Sequence, residues 1–140
     1  MVSAPVLYTP EILALATKLA ANPLNETMPF LGHARSKSCG SVLTLSLAKD
    51  DSDRITALGL RAQACAIGQA SAAIFADSAI GKSRAEIAAA ASAIESWLKG
   101  QGLAPDWPGI SAIEPAIAYP ARHGAILLAW WAALDALPSA

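Results

Sequence analysis

Two alternating segments joined by a short acidic turn limit this chain's fold more than any other feature. In Ser41–Ala48, Leu43, Leu45 and Leu47 share one face, while Val42, Thr44 and Ser46 share the other. That period of two marks a half-buried strand. Asp50-Asp51-Ser52-Asp53 then reads as a polar turn, and a second strand runs from Arg54 to about Ala64 with Leu58, Leu60 and Ala62 on one face. Nothing long enough for a parallel crossover lies between them, so they pair as an antiparallel hairpin. A short edge strand is expected over Gly32–Ser38.

Helical signals flank this group. Thr9 is a good N-cap, Pro10 suits the first helical position, and Glu11 favours the positive end of the helix dipole. Ile12, Leu15 and Leu19 follow at helical spacing, and Asn22-Pro23 ends the run. After Cys65 a helix is predicted over Ile67–Ile80, stopped by Gly81. Ser83-Arg84-Ala85-Glu86 is a capping box opening a helix with Ile87, Ala91, Ile94 and Leu98 on its apolar face. Gln101–Gly109 reads as loop. A short helix is expected within Ile110–Tyr119, and a last one over Gly124–Leu137. The order of helix, grouped strands, then helices predicts an α+β fold, a small antiparallel β-sheet packed against several helices. No repeat or low-complexity linker divides residues 1–140, so one domain is expected.

Composition narrows the function. The net charge of −1 gives no electrostatic case for nucleic acid or an anionic membrane. The longest apolar run, Gly124–Leu134, closes at Asp135 after 11 residues, where a transmembrane helix needs about 20. The N-terminus lacks the basic start of a signal peptide, so a cytoplasmic protein with reduced thiols is expected. Two cysteines are too few for a secreted disulfide framework.

Those cysteines are the candidate chemistry. Cys39 lies in Ser38-Cys39-Gly40-Ser41, just before the first strand of the hairpin, and Cys65 marks the junction from the second strand to a helix. A thiol at a helix N-terminus meets unpaired N–H groups and the positive end of the dipole, which favour the thiolate that binds metal or attacks sulfur. Taken singly, each is as well read as a small core hydrophobe. Together they gain weight, because a hairpin brings the start of its first strand beside the end of its second. Two thiols 26 residues apart in sequence thus become neighbours. Two soft ligands suit zinc, copper or an iron–sulfur cluster, but do not complete a tetrahedral site. His33 and His123 are the only histidines. His123, just before the last helix, reads first as a solvated loop residue, and His33 is the weaker candidate ligand. CxxC, HExxH, GxxxxGK[ST] and GxSxG motifs are all absent. Trp107, Trp130 and Trp131 read as core or interface anchors.

Asn22-Pro23, Ser38-Cys39-Gly40-Ser41-Val42, Cys65-Ala66-Ile67-Gly68-Gln69-Ala70-Ser71-Ala72, Gly81-Lys82-Ser83 and Arg122–Leu134 form an ordered set of motifs. In order and spacing the set resembles the iron–sulfur cluster assembly scaffolds, the NifU N-terminal, IscU and SufU proteins. The resemblance spans about Tyr8–Leu137 and is poorest over Gln101–Pro120. It implies a SufE/NifU-like fold and a transient [2Fe–2S] cluster on three cysteines plus an aspartate or histidine, with zinc an alternative occupant. It also implies partners: a cysteine desulfurase that supplies persulfide sulfur, and client apoproteins. A homo-oligomer is compatible with it, and no substrate turnover is expected. Cys39 matches the first family cysteine and Cys65 the second. Two ligands depart from the pattern: Ser41 stands where the family has aspartate, and the third cysteine falls on Gly124 or Ala125, depending on the alignment. His123 is the candidate replacement. The resemblance favours a divergent scaffold or carrier binding iron or [2Fe–2S] through Cys39 and Cys65. A zinc-binding or sulfur-relay accessory protein comes next, and a decayed interaction module without metal last.

Overall fold

The computed structural model describes residues 9–37 and 40–138; Cys39, with Ser38, lies outside the described residues. The first helix, α1, spans Pro10–Lys18. Its Ile12 N–H donates to the Thr9 hydroxyl at 3.1 Å, so the cap forms as the sequence implies. A 3-10 turn over Leu19–Ala21 follows, and Asn22 leaves helical geometry.

Three strands come next: β1 (Phe30–Arg35), β2 (Val42–Lys49) and β3 (Ile55–Gln63). They form one antiparallel sheet in the order β1-β2-β3. The edge strand expected over Gly32–Ser38 begins earlier and stops at Arg35. Ser36 ends it: its N–H turns to the Ser41 carbonyl at 2.8 Å and closes the β1–β2 loop. Leu43, Leu45 and Leu47 are buried on the inner face, opposite Ala62, Leu60 and Leu58. At the acidic turn the Asp50 carboxylate accepts the N–H groups of Ser52 and Arg54, at 2.9 and 3.0 Å. These bonds hold a tight loop in which Asp53 takes φ +62°.

Helix α2 (Ala66–Ala79) starts at the end of β3, and α3 (Arg84–Leu98) follows through the turn at Gly81, whose φ is +90°. Both halves of the capping box between Ser83 and Glu86 are made. The segment Ile110–Ala118 is helical but of the tight 3-10 type, with Pro115 inside it. A proline has no N–H to donate, which disfavours a regular α-helix there. A 3-10 turn at Pro120–Arg122 leads into α4 (His123–Ala136).

The helices cover one face of the sheet. Helix α4 lies against β1 and β2, and also touches α2 and α3. At their crossing, Phe75 of α2, Trp107 and Trp130 of α4 form a buried aromatic cluster with ring centroids 5.2–5.6 Å apart. Trp107 also donates its indole N–H to the Ile74 carbonyl at 2.9 Å, tying the Gln101–Gly109 loop to α2. On the outer face, Asn22–Asn25 covers one end of the sheet. The Leu60 N–H donates to Asn22 and the Asn25 N–H to the buried Ser46 hydroxyl, at 2.9 and 3.1 Å. Thus part of the free β3 edge is paired rather than left open. No helix among the described residues is long and apolar enough to cross a membrane.

A Cβ at Gly32 would lie 2.0 Å from the Ala132 carbonyl oxygen, a backbone atom that cannot rotate away. Gly32→Ala should therefore lower the urea-unfolding free energy by ~1–3 kcal/mol or more, the cost of overpacking. Glu86 accepts the Ser83 N–H and an Arg54 guanidinium bond, which hold its carboxyl below the ordinary value of 4.5. A lowered carboxylate contributes stability that is present above its unfolded value and lost as pH falls through its folded one. Glu86→Gln should accordingly lower the melting temperature at neutral pH, and the gap to the parent should close below about pH 4.5.

Candidate functional site

Three chain segments meet at one end of the sheet. The first is the β1–β2 loop, Ser36–Ser41, pinned by the Ser36–Ser41 backbone bond and by the Gly40 N–H donating to the Ser36 carbonyl at 3.0 Å. Gly40 has φ +72°, a conformation that glycine adopts without strain. The second is the β3–α2 junction. Val42 pairs with Gln63, so the start of β2 and the end of β3 are adjacent, and Cys65 follows two residues on. The third is the N-terminus of α4. A Cβ at Gly124 would lie 2.7 Å from the Ser36 hydroxyl, and one at Gly68 3.3 Å from the Ala125 Cβ. Helix α4 therefore begins against both the loop and the first turn of α2.

Cys65 is a half-buried free thiol at the N-cap of α2, in extended geometry, and its side chain makes no capping bond. It takes the helix-terminal position expected from sequence. Gln69 fixes this junction, its side-chain amide donating to the Ala64 carbonyl at 2.8 Å. Ser41 is buried at 5% exposure.

His123 departs from the solvated reading. It is half-buried as the first residue of α4, and its Nε2 lies 3.1 Å from both the Ala116 and the Ile117 carbonyl oxygens. Both neighbours are acceptors only, so Nε2 carries the proton and donates. In the neutral ring this leaves Nδ1 with the lone pair. Both carbonyls lie at the end of the 3-10 helix, and that of Ala116 also accepts the Tyr119 N–H. His123 thus caps one element while opening the next. His33 sits elsewhere, exposed on the outer face of the sheet, with its ring Nδ1 3.3 Å from the Thr44 hydroxyl. Among the described residues no three His, Cys, Asp or Glu side chains are grouped to hold a metal ion.

The comparisons with known proteins agree with this geometry. The NifU-like N-terminal domain family matches residues 18–124, so the chain belongs to that family of iron–sulfur cluster assembly scaffolds. Among solved structures it is similar to a nitrogen-fixing NifU-like protein (N-terminal) from Brucella abortus. The two are 31% identical with a TM-score of 0.87, over 96% of this chain and 94% of that one. It also resembles a protein from the thermophilic Fervidobacterium islandicum AW-1 assigned as an iron–sulfur cluster assembly scaffold for the SUF system. There the identity is 24%, the TM-score 0.84 and the coverage 96% and 99%, which supports the fold alone. A search of curated proteins finds no match.

His123→Ala removes the donor shared by two carbonyls. It should cost about 1 kcal/mol of stability, the usual net worth of such a hydrogen bond. Amide exchange at Tyr119, whose N–H donates to the same Ala116 carbonyl, should quicken.

Proposed function

We propose that this chain is a divergent iron–sulfur cluster scaffold or carrier that takes iron or a [2Fe–2S] unit as cargo through Cys39 and Cys65. The observation that carries the reading is the meeting of the Cys39 loop, the Cys65 junction and the start of α4 at one sheet end, within the fold of a scaffold family. His123 is the candidate third ligand, through Nδ1. A ring whose other nitrogen is held by backbone carbonyls has a set tautomer and orientation, the usual arrangement behind metal-ligating histidines. Four ligands complete a [2Fe–2S] cluster, so a partner protein or a second copy of the chain supplies the remainder. A cysteine desulfurase as sulfur donor and client apoproteins as acceptors are the partners that family membership implies. Holding and handing over cargo needs no turnover of a substrate.

The vanished third cysteine has two candidate positions, and the geometry favours 124. A side chain at 124 points toward Ser36, in the loop that carries Cys39. Ala125 is 1% exposed and faces Gly68 inside the contact between α2 and α4. A ligand at 125 is therefore shut away from the loop. Ser36 now fills much of the space that a ligand at 124 needs.

Anaerobic reconstitution with iron and sulfide tests the reading. A visible absorption band should appear, and Cys39→Ala and Cys65→Ala should each abolish it. Gly124→Cys combined with Ser36→Ala should raise bound iron and sulfide above the parent, whereas Ala125→Cys should not. A colourless, iron-free product overturns the proposal. Zinc in a single equivalent without iron, or a persulfide trapped on Cys65 after exposure to a desulfurase, supports the accessory-protein alternative instead.

A further inference from the structure

Among the described residues, only half of the outer face of the sheet is covered. Asn22–Asn25 seals the end around Ser46 and Gly59, where a Cβ at Gly59 would meet the Pro23 carbonyl at 2.2 Å. Two cross-strand rows nearer the thiol end stay open: His33–Thr44–Arg61 and Arg35–Val42–Gln63. Residues paired directly across strands share a face. Their side chains therefore point away from the helices, because Leu43 and Leu45 of β2 point into the core. His33, Arg35, Arg61 and Gln63 are exposed, and Val42 and Thr44 are half-buried between them. A depression of about 400 Å³ opens here, lined by His33, Arg35, Val42 and Thr44 among others.

The charge on this face is of one sign. None of the three strands contains an aspartate or glutamate. Arg35 and Arg61 stand at opposite corners of the two rows, and Lys37 lies just past Arg35. Among the described residues, the ion pairs are Lys49–Asp53 and Arg54–Glu86, so neither arginine is neutralised. The Asp135 carboxylate of α4 accepts the His33 backbone N–H at 2.9 Å on the outer edge of β1.

We propose that this half-face is a docking surface for a partner protein that presents carboxylates around a small apolar centre. Arg35 and Arg61 meet the carboxylates, and Val42 with the Thr44 methyl meets the apolar centre. Arginine at a rim around apolar area is a mark of protein interfaces. A net charge of −1 works against nucleic acid, whose binding needs several phosphate contacts. The surface runs straight into the Ser36–Ser41 loop, so a protein docked on it reaches the thiol end. The inference stands on charge and topology and does not depend on what Cys39 and Cys65 hold.

The test uses the full chain, isotope-labelled, titrated with a peptide of glutamate and leucine while backbone amide shifts are followed. Shifts should concentrate at His33, Arg35, Val42, Thr44, Arg61 and Gln63. Raising ionic strength from about 0.01 M to about 0.15 M shortens the Debye length from about 30 Å to about 8 Å and should weaken binding severalfold. An Arg35→Ala, Arg61→Ala double variant should lose ~3–10-fold in affinity, as expected for two exposed ion pairs. Its melting temperature should stay unchanged, since both side chains are exposed. Shifts centred elsewhere, no binding at millimolar peptide, equal binding of a lysine–leucine peptide, or tighter binding of a DNA duplex at the same ionic strength overturns the proposal.

Discussion

Gly32 lets the backbone of β1 approach α4 so closely that a Cβ there would lie 2.0 Å from the Ala132 carbonyl oxygen and 2.8 Å from the Ala136 Cβ. At the other end of the same helix, Gly68 of α2 admits Ala125, and the buried Ser71 hydroxyl donates to the Ile126 carbonyl at 2.6 Å. These contacts seat both ends of α4, one on the sheet and one on α2. Between them Trp130 fills the space against Phe75 and Trp107. Small residues set the distance and one large residue fills the remaining volume, as close-packed interiors require.

The seating of α4 decides where its first turn falls. Once Gly32 and Gly68 are engaged, Gly124 lies against Ser36 and His123 reaches the carbonyls of Ala116 and Ile117. The candidate site is therefore placed by packing between glycine, alanine and serine, and not by its ligands.

Much of this was legible in the sequence because local rules and tertiary packing agree there. Thr9, the Ser83–Glu86 box, the leucine alternation of β2 and the Asp50 turn each act through neighbours a few residues away. What was not legible depends on partners far along the chain. The strand expected over Gly32–Ser38 stops at Arg35 because Ser36 bonds across the loop to Ser41. His123 looks solvated in sequence, since nothing local shows that the carbonyls of Ala116 and Ile117 fold back onto it. The nearness of Cys39 and Cys65 was readable only to the level of strand ends. The pairing of Val42 with Gln63 bears out that level.

Net charge conceals a further property that only the register reveals. Arg35 and Arg61 lie near the thiol end, while Asp50, Asp51 and Asp53 occupy the β2–β3 turn at the opposite end. The sum over the chain is −1, yet the two strand arginines gather at one end, while the acids of the turn at the other stand beside Lys49, which pairs with Asp53. An approaching charged surface responds to the local field within a Debye length, about 8 Å at physiological ionic strength, and not to the sum. Composition argues against a long polyanion, which would lie across both ends. It says nothing against an acidic surface small enough to meet only one. The asymmetry also has a structural cause. The Asp50 carboxylate is needed to hold the tight turn, and β2 and β3 supply no acid to balance Arg61 at the far end.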